Sequence, residues 1–146
     1  MAPILNGLHY LLQSQFAGLP EDAHILCVGV GTGAELVHLA QVFPAWRFTV
    51  VEPSGGMLDV CRQQADKEGL TERCTFHEGY LDSFPAGNLH DAATCFLVSQ
   101  FILEQKARSA FFHEIATRLK PGGLLASSDL AADTSSRQYD TLLRAW

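Results

Sequence analysis

Short apolar runs alternate along this chain with longer segments in which apolar residues recur every three or four positions. Runs of four to seven apolar residues next to Gly or Pro predict buried strands, and the longer periodic segments predict amphipathic helices. The predicted strands are 25–28, 48–51, 74–77, 92–98 and 124–127. The predicted helices are 4–16, 34–43, 57–68, 104–119 and a last one from near Ser135 or Ser136 to Trp146. This alternation predicts an α/β fold, a doubly wound and mostly parallel sheet with helices on both faces.

A glycine-rich turn joins the first predicted strand to the following helix. The run Ile25 to Val28 leads into Gly29, Gly31 and Gly33, and a helical segment follows directly. Glycine accepts positive φ angles and has no Cβ to block a ligand that approaches the backbone. The start of a helix also presents free N–H groups. This turn therefore predicts a site for a nucleotide-like ligand.

An acidic residue, Glu52, ends the second predicted strand about twenty residues after the turn. A carboxylate there can accept hydrogen bonds from both hydroxyls of a ribose, so the ligand is predicted to contain adenosine. The turn by itself leaves two classes open. Its residues Gly29, Gly31 and Ala34 also satisfy the dinucleotide fingerprint, with Glu52 as the acid.

The amino-acid composition predicts a globular domain and disfavours nucleic-acid binding. The 146 residues include 18% charged and 47% hydrophobic residues, which predicts a single globular domain over 1–146. Within it we expect an amino-terminal helix (1–18), a cofactor-binding core (19–130) and the start of a further helix (131–146). The net charge of −6 argues against a nucleic-acid partner, because phosphate binding needs clustered Lys and Arg.

The chain carries no sign of export, membrane insertion or metal binding. No basic residue precedes Arg47, so the apolar amino terminus does not have the form of a signal peptide. No apolar run approaches the roughly 18 residues of a membrane span. The four cysteines show no CxxC pair or metal-ligand spacing, and the six histidines are scattered. We expect reduced core cysteines in a cytoplasmic protein without a metal site.

Five segments in order resemble the class I S-adenosylmethionine-dependent methyltransferases, and the resemblance spans about Leu19 to Leu130. They are the glycine turn 27–33, the acidic loop 51–54 with Met57, the loop 79–85, the fourth strand 91–99 and the turn 119–125. The resemblance implies S-adenosylmethionine as cofactor and S-adenosylhomocysteine as product. It implies that Met57, or its neighbour Leu58, packs against the adenine. The cofactor-binding residues that it implies are Val28, Gly29, Val30, Gly31, Gly33, Glu52, Pro53, Met57, Tyr80, Leu81, Cys95 and Phe96.

The chain departs from the family pattern at two positions and in length. Cys27 stands where the family usually has an acid that organises the loop around the methionine end of the cofactor. Tyr80 stands where the family often has an Asp that holds the adenine amino group, and Asp82 is the alternative acid. The family fold usually has seven strands, and the last two are absent from this pattern. We therefore expect a missing tail or a homodimer formed through the uncovered sheet edge.

The resemblance implies methyl transfer to a small molecule by in-line displacement, which depends mainly on positioning and needs no obligatory triad. No signature of an amino-nitrogen methylase follows strand four. Ser99, Gln100 and Asp129 are interpreted as solvated or capping residues, so no catalytic residue is assigned. Two alternatives stay open: a cofactor-binding relative or fragment without activity, and an NAD(P)-binding oxidoreductase domain. The second is disfavoured, because no Tyr has a Lys four residues later.

Overall fold

The computed structural model describes residues 2–131 and 141, with side chains from Asn6 onward. An amino-terminal helix is followed by five strands, with three further helices between them. The helices are α1 (Ala2–Phe16), α2 (Ala34–Val42), α3 (Gly55–Lys67) and α4 (Gln105–Thr117). The strands are β1 (His24–Val28), β2 (Arg47–Glu52), β3 (Cys74–Glu78), β4 (His90–Phe96) and β5 (Leu119–Ser128). The helix predicted from near Ser135 or Ser136 to Trp146 lies outside the described residues.

All described strand pairs are parallel, and the strand order is β3-β2-β1-β4-β5. The chain runs outward from β1 through β2 to β3 and then crosses back to place β4 on the other side of β1. Ligands of open α/β sheets bind at the carboxyl edge where the strand order reverses in this way. The predicted doubly wound sheet is confirmed, and its reversal point lies beside the glycine turn.

Helices cover both faces of the sheet, as the sequence predicts. One apolar cluster, here called the α2-side core, joins the sheet to α1, α2 and α3 through residues such as Phe16, Leu39 and Leu58. A second cluster, the α4-side core, includes Leu26 and Ile115. Because successive strand residues point to opposite faces, β1 and β4 contribute to both clusters and are almost completely buried.

Two predicted boundaries around β5 are wrong. Leu119, predicted as the last apolar residue of a helix, instead pairs with His90 as the first residue of β5. The helix ends at Thr117, because the carbonyl of Arg118 already accepts a hydrogen bond from the His90 N–H at 2.8 Å. The turn 120–123, predicted to precede the strand, lies inside it as an irregularity, after which Leu124 pairs with Ala92.

Smaller differences occur at β4 and α3. β4 covers His90–Phe96 rather than 92–98. α3 begins at Gly55 rather than Met57, because the Ser54 side chain caps it by accepting the Met57 N–H.

Two expectations are not decided by these elements. β5 is an edge strand of the described sheet, and association through it stays a prediction. The domain limits also stay a prediction. Among the described residues, every helix is too short or too polar to cross a membrane.

Candidate cofactor site

Three glycines shape the turn between β1 and α2. Gly29, Gly31 and Gly33 have φ angles of 65°, 58° and 90°, in the left-handed region that favours glycine. A Cβ on Gly29 would overlap the Val98 side chain, and one on Gly33 would lie 2.7 Å from Cys61 Sγ. A Cβ on Gly31 would meet no atom within 4 Å. Packing therefore requires two of the glycines, while Gly31 leaves its backbone open to a ligand.

Glu52 connects this turn to the loop after β2. Its Oε2 accepts the Gly31 N–H at 2.9 Å, and its Oε1 accepts the Ser54 N–H at 2.9 Å. The residue is 6% exposed, in contrast to the exposed Pro53 that follows it. A carboxylate offers about four acceptor positions, so both oxygens can still receive hydroxyl donors. The side chain that the sequence assigns to ribose binding is thus held in place by backbone donors from two loops.

The loop after β3 reaches the same edge of the sheet. The Gly79 N–H donates to the Glu52 carbonyl at 3.1 Å, which ties the loop to the end of β2. Tyr80 is 72% exposed, whereas Leu81 lies in the α4-side core. Of these two residues named from the sequence, only Tyr80 therefore exposes its side chain at this edge of the sheet.

The two residues that the sequence names for adenine contact differ in their solvent exposure. Leu58 is fully buried in the α2-side core, so it is a packing residue. Met57 is 49% exposed in the first turn of α3. Of the pair named from the sequence, only Met57 presents its side chain to the surface beside Glu52 and Ser54.

The segment directly after β4 contacts the glycine turn, which the sequence pattern does not predict. Leu97 has a φ angle of 61°, and its N–H donates to the Ser128 carbonyl at 2.7 Å. This bend brings the next residue, Val98, against Gly29. Cys95 lies in the α4-side core, and burial raises the pKa of its thiol to about 12, so it stays neutral. Phe96 is half-buried at the edge of the α2-side core.

Ser99, Gln100 and Asp129 lie together beyond the ends of β4 and β5. Asp129 accepts hydrogen bonds from the Ser99 hydroxyl and from the Gln100 N–H, the latter at 3.1 Å. The Gln100 side chain in turn accepts the Leu130 N–H at 2.8 Å. These bonds link the two strand ends, which agrees with the capping role expected from the sequence.

Two residues that flank the glycine turn, one on β1 and one on α2, complete the site. Cys27 is fully buried, and burial raises the pKa of its thiol well above the usual value. Glu35, in the first turn of α2, is 7% exposed although its carboxyl is ionisable, and its Oε1 has no hydrogen-bond partner among the described residues. Burial raises the pKa of Glu35 to about 7, its own backbone N–H opposes that rise, and the Glu52 carboxylate adds to it. Sequence analysis did not identify Glu35, although a carboxylate two residues after Gly33 was a visible signal.

Comparison with known proteins identifies the family. A sequence profile described as "Methyltransferase domain" matches residues 25–123, which include all of β1 but its first residue, the glycine turn, Glu52, β3 and β4. This chain belongs to that methyltransferase-domain family. The prediction of a class I S-adenosylmethionine-dependent methyltransferase is thereby confirmed at the level of family and fold.

Three relatives illustrate the range of the family. Erythromycin 3''-O-methyltransferase of Saccharopolyspora erythraea is 28% identical over 118 residues, which are 80% of this chain and 38% of that protein. CalS10, a SAM-bound amino pentose methyltransferase of Micromonospora echinaspora, is 27% identical with a TM-score of 0.71 and is matched over 86% of this chain and 50% of that one. The [4+2]-cyclase SpnF is 26% identical with a TM-score of 0.73, over 89% and 48% of the two chains. The chain thus spans half or less of the length of these relatives.

Proposed function

We propose that this chain is the cofactor-binding domain of an S-adenosylmethionine-dependent methyltransferase that acts on a small molecule. The arrangement of Glu52 is the observation that carries the proposal. A buried carboxylate lies at the carboxyl end of β2, next to the strand where the sheet order reverses, and it is fixed by the N–H groups of Gly31 and Ser54. It has acceptor capacity left for two ribose hydroxyls, and Gly31 beside it is open to a ligand.

The residues present fit this cofactor at both of its ends. Met57 is exposed beside the loop that would face the adenine, and the start of α2 offers free N–H groups to the methionine carboxylate. When bound, S-adenosylmethionine supplies a methyl group already activated by its sulfonium. The chain's own contribution is to position the cofactor and exclude water, and such positioning can be worth roughly 7–11 kcal/mol.

A small-molecule acceptor is supported by what related proteins are named for. The relatives described above include methyltransferases named for erythromycin and for an amino pentose. The net charge of −6 also disfavours nucleic acid. In-line transfer needs no base unless the acceptor must lose a proton, and Asp129 is already engaged by Ser99 and Gln100.

A second candidate function is cofactor binding without methyl transfer. The resemblance to SpnF favours it, because that protein is named a [4+2]-cyclase although it shares this fold. The buried thiol of Cys27, where the family usually has an acid, is the feature of this chain that would weaken cofactor binding.

Calorimetric titration of the purified chain with S-adenosylhomocysteine, and with NADH in parallel, tests the proposal. Saturable binding of S-adenosylhomocysteine alone is expected. Glu52→Ala should weaken it by about 10- to 100-fold, because hydrogen bonds to a charged group are lost. Glu68→Ala is the matched control, since Glu68 is an exposed carboxylate at the far end of α3 and should leave affinity unchanged.

The other outcomes separate the alternatives. Binding of NADH alone would replace the proposal with a dinucleotide-binding domain. Unchanged affinity in Glu52→Ala would remove the site assignment even if S-adenosylhomocysteine binds. Tight binding of S-adenosylmethionine without turnover of any small-molecule acceptor would favour the second candidate.

A further inference from the structure

Glu35 is a buried carboxyl group to which the residues that the structure describes offer no counter-charge. It is 7% exposed, and its Oε1 has no hydrogen-bond partner among the described residues. Burial of an ionisable group without a partner costs free energy, so such a group is usually paired, neutral or reserved for a ligand. Within the described part of the chain, no Lys or Arg shifts its pKa.

The position of the carboxyl follows from the fold. Glu35 is the second residue of α2, two positions after the N-cap Gly33 that ends the glycine turn, and it is one of the buried residues of that helix. Glu52, at the end of β2, is joined to the same turn through the Gly31 N–H, and its carboxylate adds to the rise in the pKa of Glu35 that burial causes. The carboxyl therefore lies beneath the glycine turn, at the start of α2 and at the point where the sheet order reverses.

The groups facing Glu35 leave its charge uncompensated. The thiols from β1, β4 and α3 are neutral near pH 7, because burial raises their pKa values. Glu52 from β2 adds negative charge. On α1, the titratable group His9 stacks at 5.1 Å on His38, which lies one turn after Glu35 on α2. Burial, followed by the neighbouring His38, lowers the pKa of His9, so it is neutral at pH 7.

We propose that Glu35 binds the ammonium group at the methionine end of the cofactor and that the cofactor displaces a proton from Glu35 when it binds. This inference rests on the proposed function. The ligand then supplies a cation for Glu35, and Glu35 provides the carboxylate that the family usually places at the position of Cys27. The step balances simply: the carboxyl O–H bond breaks, the proton leaves to the buffer, and the carboxylate accepts an N–H from the ligand.

The proposal predicts a defined pH dependence. With the Glu35 pKa at about 7, a cation-binding carboxylate must lose its proton, so affinity for S-adenosylhomocysteine should rise about tenfold from pH 6 to pH 8. About half a proton should be released per ligand bound at pH 7. Calorimetry in buffers of different ionisation enthalpy measures that number directly.

Two ligands and two variants decide the question. S-adenosylhomocysteine carries the ammonium group, whereas 5'-methylthioadenosine lacks the whole amino-acid end. Glu35→Gln should weaken S-adenosylhomocysteine by about tenfold or more, leave 5'-methylthioadenosine within twofold, and abolish proton release. Glu104→Gln, a carboxyl group at the start of α4, is the matched control and should change none of these values.

Each other result has a definite meaning. Equal weakening of both ligands by Glu35→Gln would show that Glu35 only supports the turn, and the inference would fail. Unchanged S-adenosylhomocysteine affinity, or proton release that persists in Glu35→Gln, would also overturn it while the proposed function stands. If the unaltered chain binds neither ligand, the proposed function fails first and the role of Glu35 fails with it.

Discussion

β1 and β5 are both apolar, parallel strands of one sheet, yet their environments differ. Leu26 of β1 and Leu125 of β5 lie in the same row across the sheet, because each pairs with Ala93 of β4. Leu26 is fully buried, whereas Leu125 is 38% exposed. β1 lies between two strands and is covered by helices on both faces, while β5 lies at the edge of the described sheet. An apolar run therefore predicts a strand, but neighbouring elements decide how much of it is buried.

The largest expected effect is on stability at the buried end of this row. Leu26→Ala should lower the free energy of unfolding by about 2–5 kcal/mol, because it leaves a cavity in the α4-side core. Leu125→Ala, the matched change at the edge, should cost less than about 1 kcal/mol. Denaturant unfolding of both variants measures the difference. Similar losses would mean that β5 is as well covered as β1, for example by association in solution.

The glycine turn next to β1 permits a second comparison, between packing and ligand access. Gly33→Ala should lower the free energy of unfolding by roughly 1–3 kcal/mol, because it combines a positive φ angle with a contact to Cys61 Sγ. Gly31→Ala adds only the backbone strain, since no atom lies near its Cβ. The main expected effect of Gly31→Ala is therefore a lower affinity for S-adenosylhomocysteine, with a smaller loss of stability than in Gly33→Ala.

Thermal unfolding and calorimetry of the two glycine variants check this ranking. Gly87→Ala serves as a control, because Gly87 has no positive φ angle and no close neighbour. If Gly31→Ala binds the ligand normally, the backbone of the turn is not where the cofactor approaches.

The smallest expected effect concerns the opposite end of the same strands. His24 begins β1 and His90 begins β4, their rings lie 4.4 Å apart, and both contact the Thr49 hydroxyl at 2.9 Å. Burial, followed by the charge of His90, lowers the pKa of His24 to about 4, and burial also lowers that of His90. Both rings are therefore neutral in the folded chain at pH 7.

Stability should therefore fall on acidification. The unfolded chain binds more protons than the folded chain between a histidine pKa of about 6.5 and the folded value of about 4. Stability is thus complete above pH 6.5, decreases as the pH falls through that interval and levels off below about pH 4. His24→Gln should flatten the pH profile of the melting temperature, whereas the same change at His113, an exposed residue of α4, should not. An unchanged profile in His24→Gln would exclude this pair as its cause.

Much of the fold could be predicted because its signals are local. The glycine turn and the acid that ends β2 both lie where the sequence pattern placed them. The start of β5 could not be predicted, since Leu119 continues the helical spacing and only its pairing with His90 draws it into the sheet. Propensity is a weak guide where such tertiary pairing competes with it.

The candidate site likewise contains residues that the sequence named and residues whose role depends on tertiary contacts. The sequence named Glu52 as the ribose-binding acid, but its bond to the Gly31 N–H joins residues far apart in the chain. It named Leu81 and Cys95, whose side chains belong to the α4-side core. It did not identify Glu35 or Val98, because their importance comes from burial and from contact across the turn.

The sequence by itself determined the order of strands and helices, the glycine turn and the acid at the end of β2, because periodicity and the backbone freedom of glycine act over a few residues. Only the tertiary structure decided which apolar strands are buried, that Val98 closes on Gly29, and that Glu35 lies beneath the turn with a pKa of about 7. Burial and electrostatic surroundings depend on segments that are distant in the chain, and only folding brings those segments together.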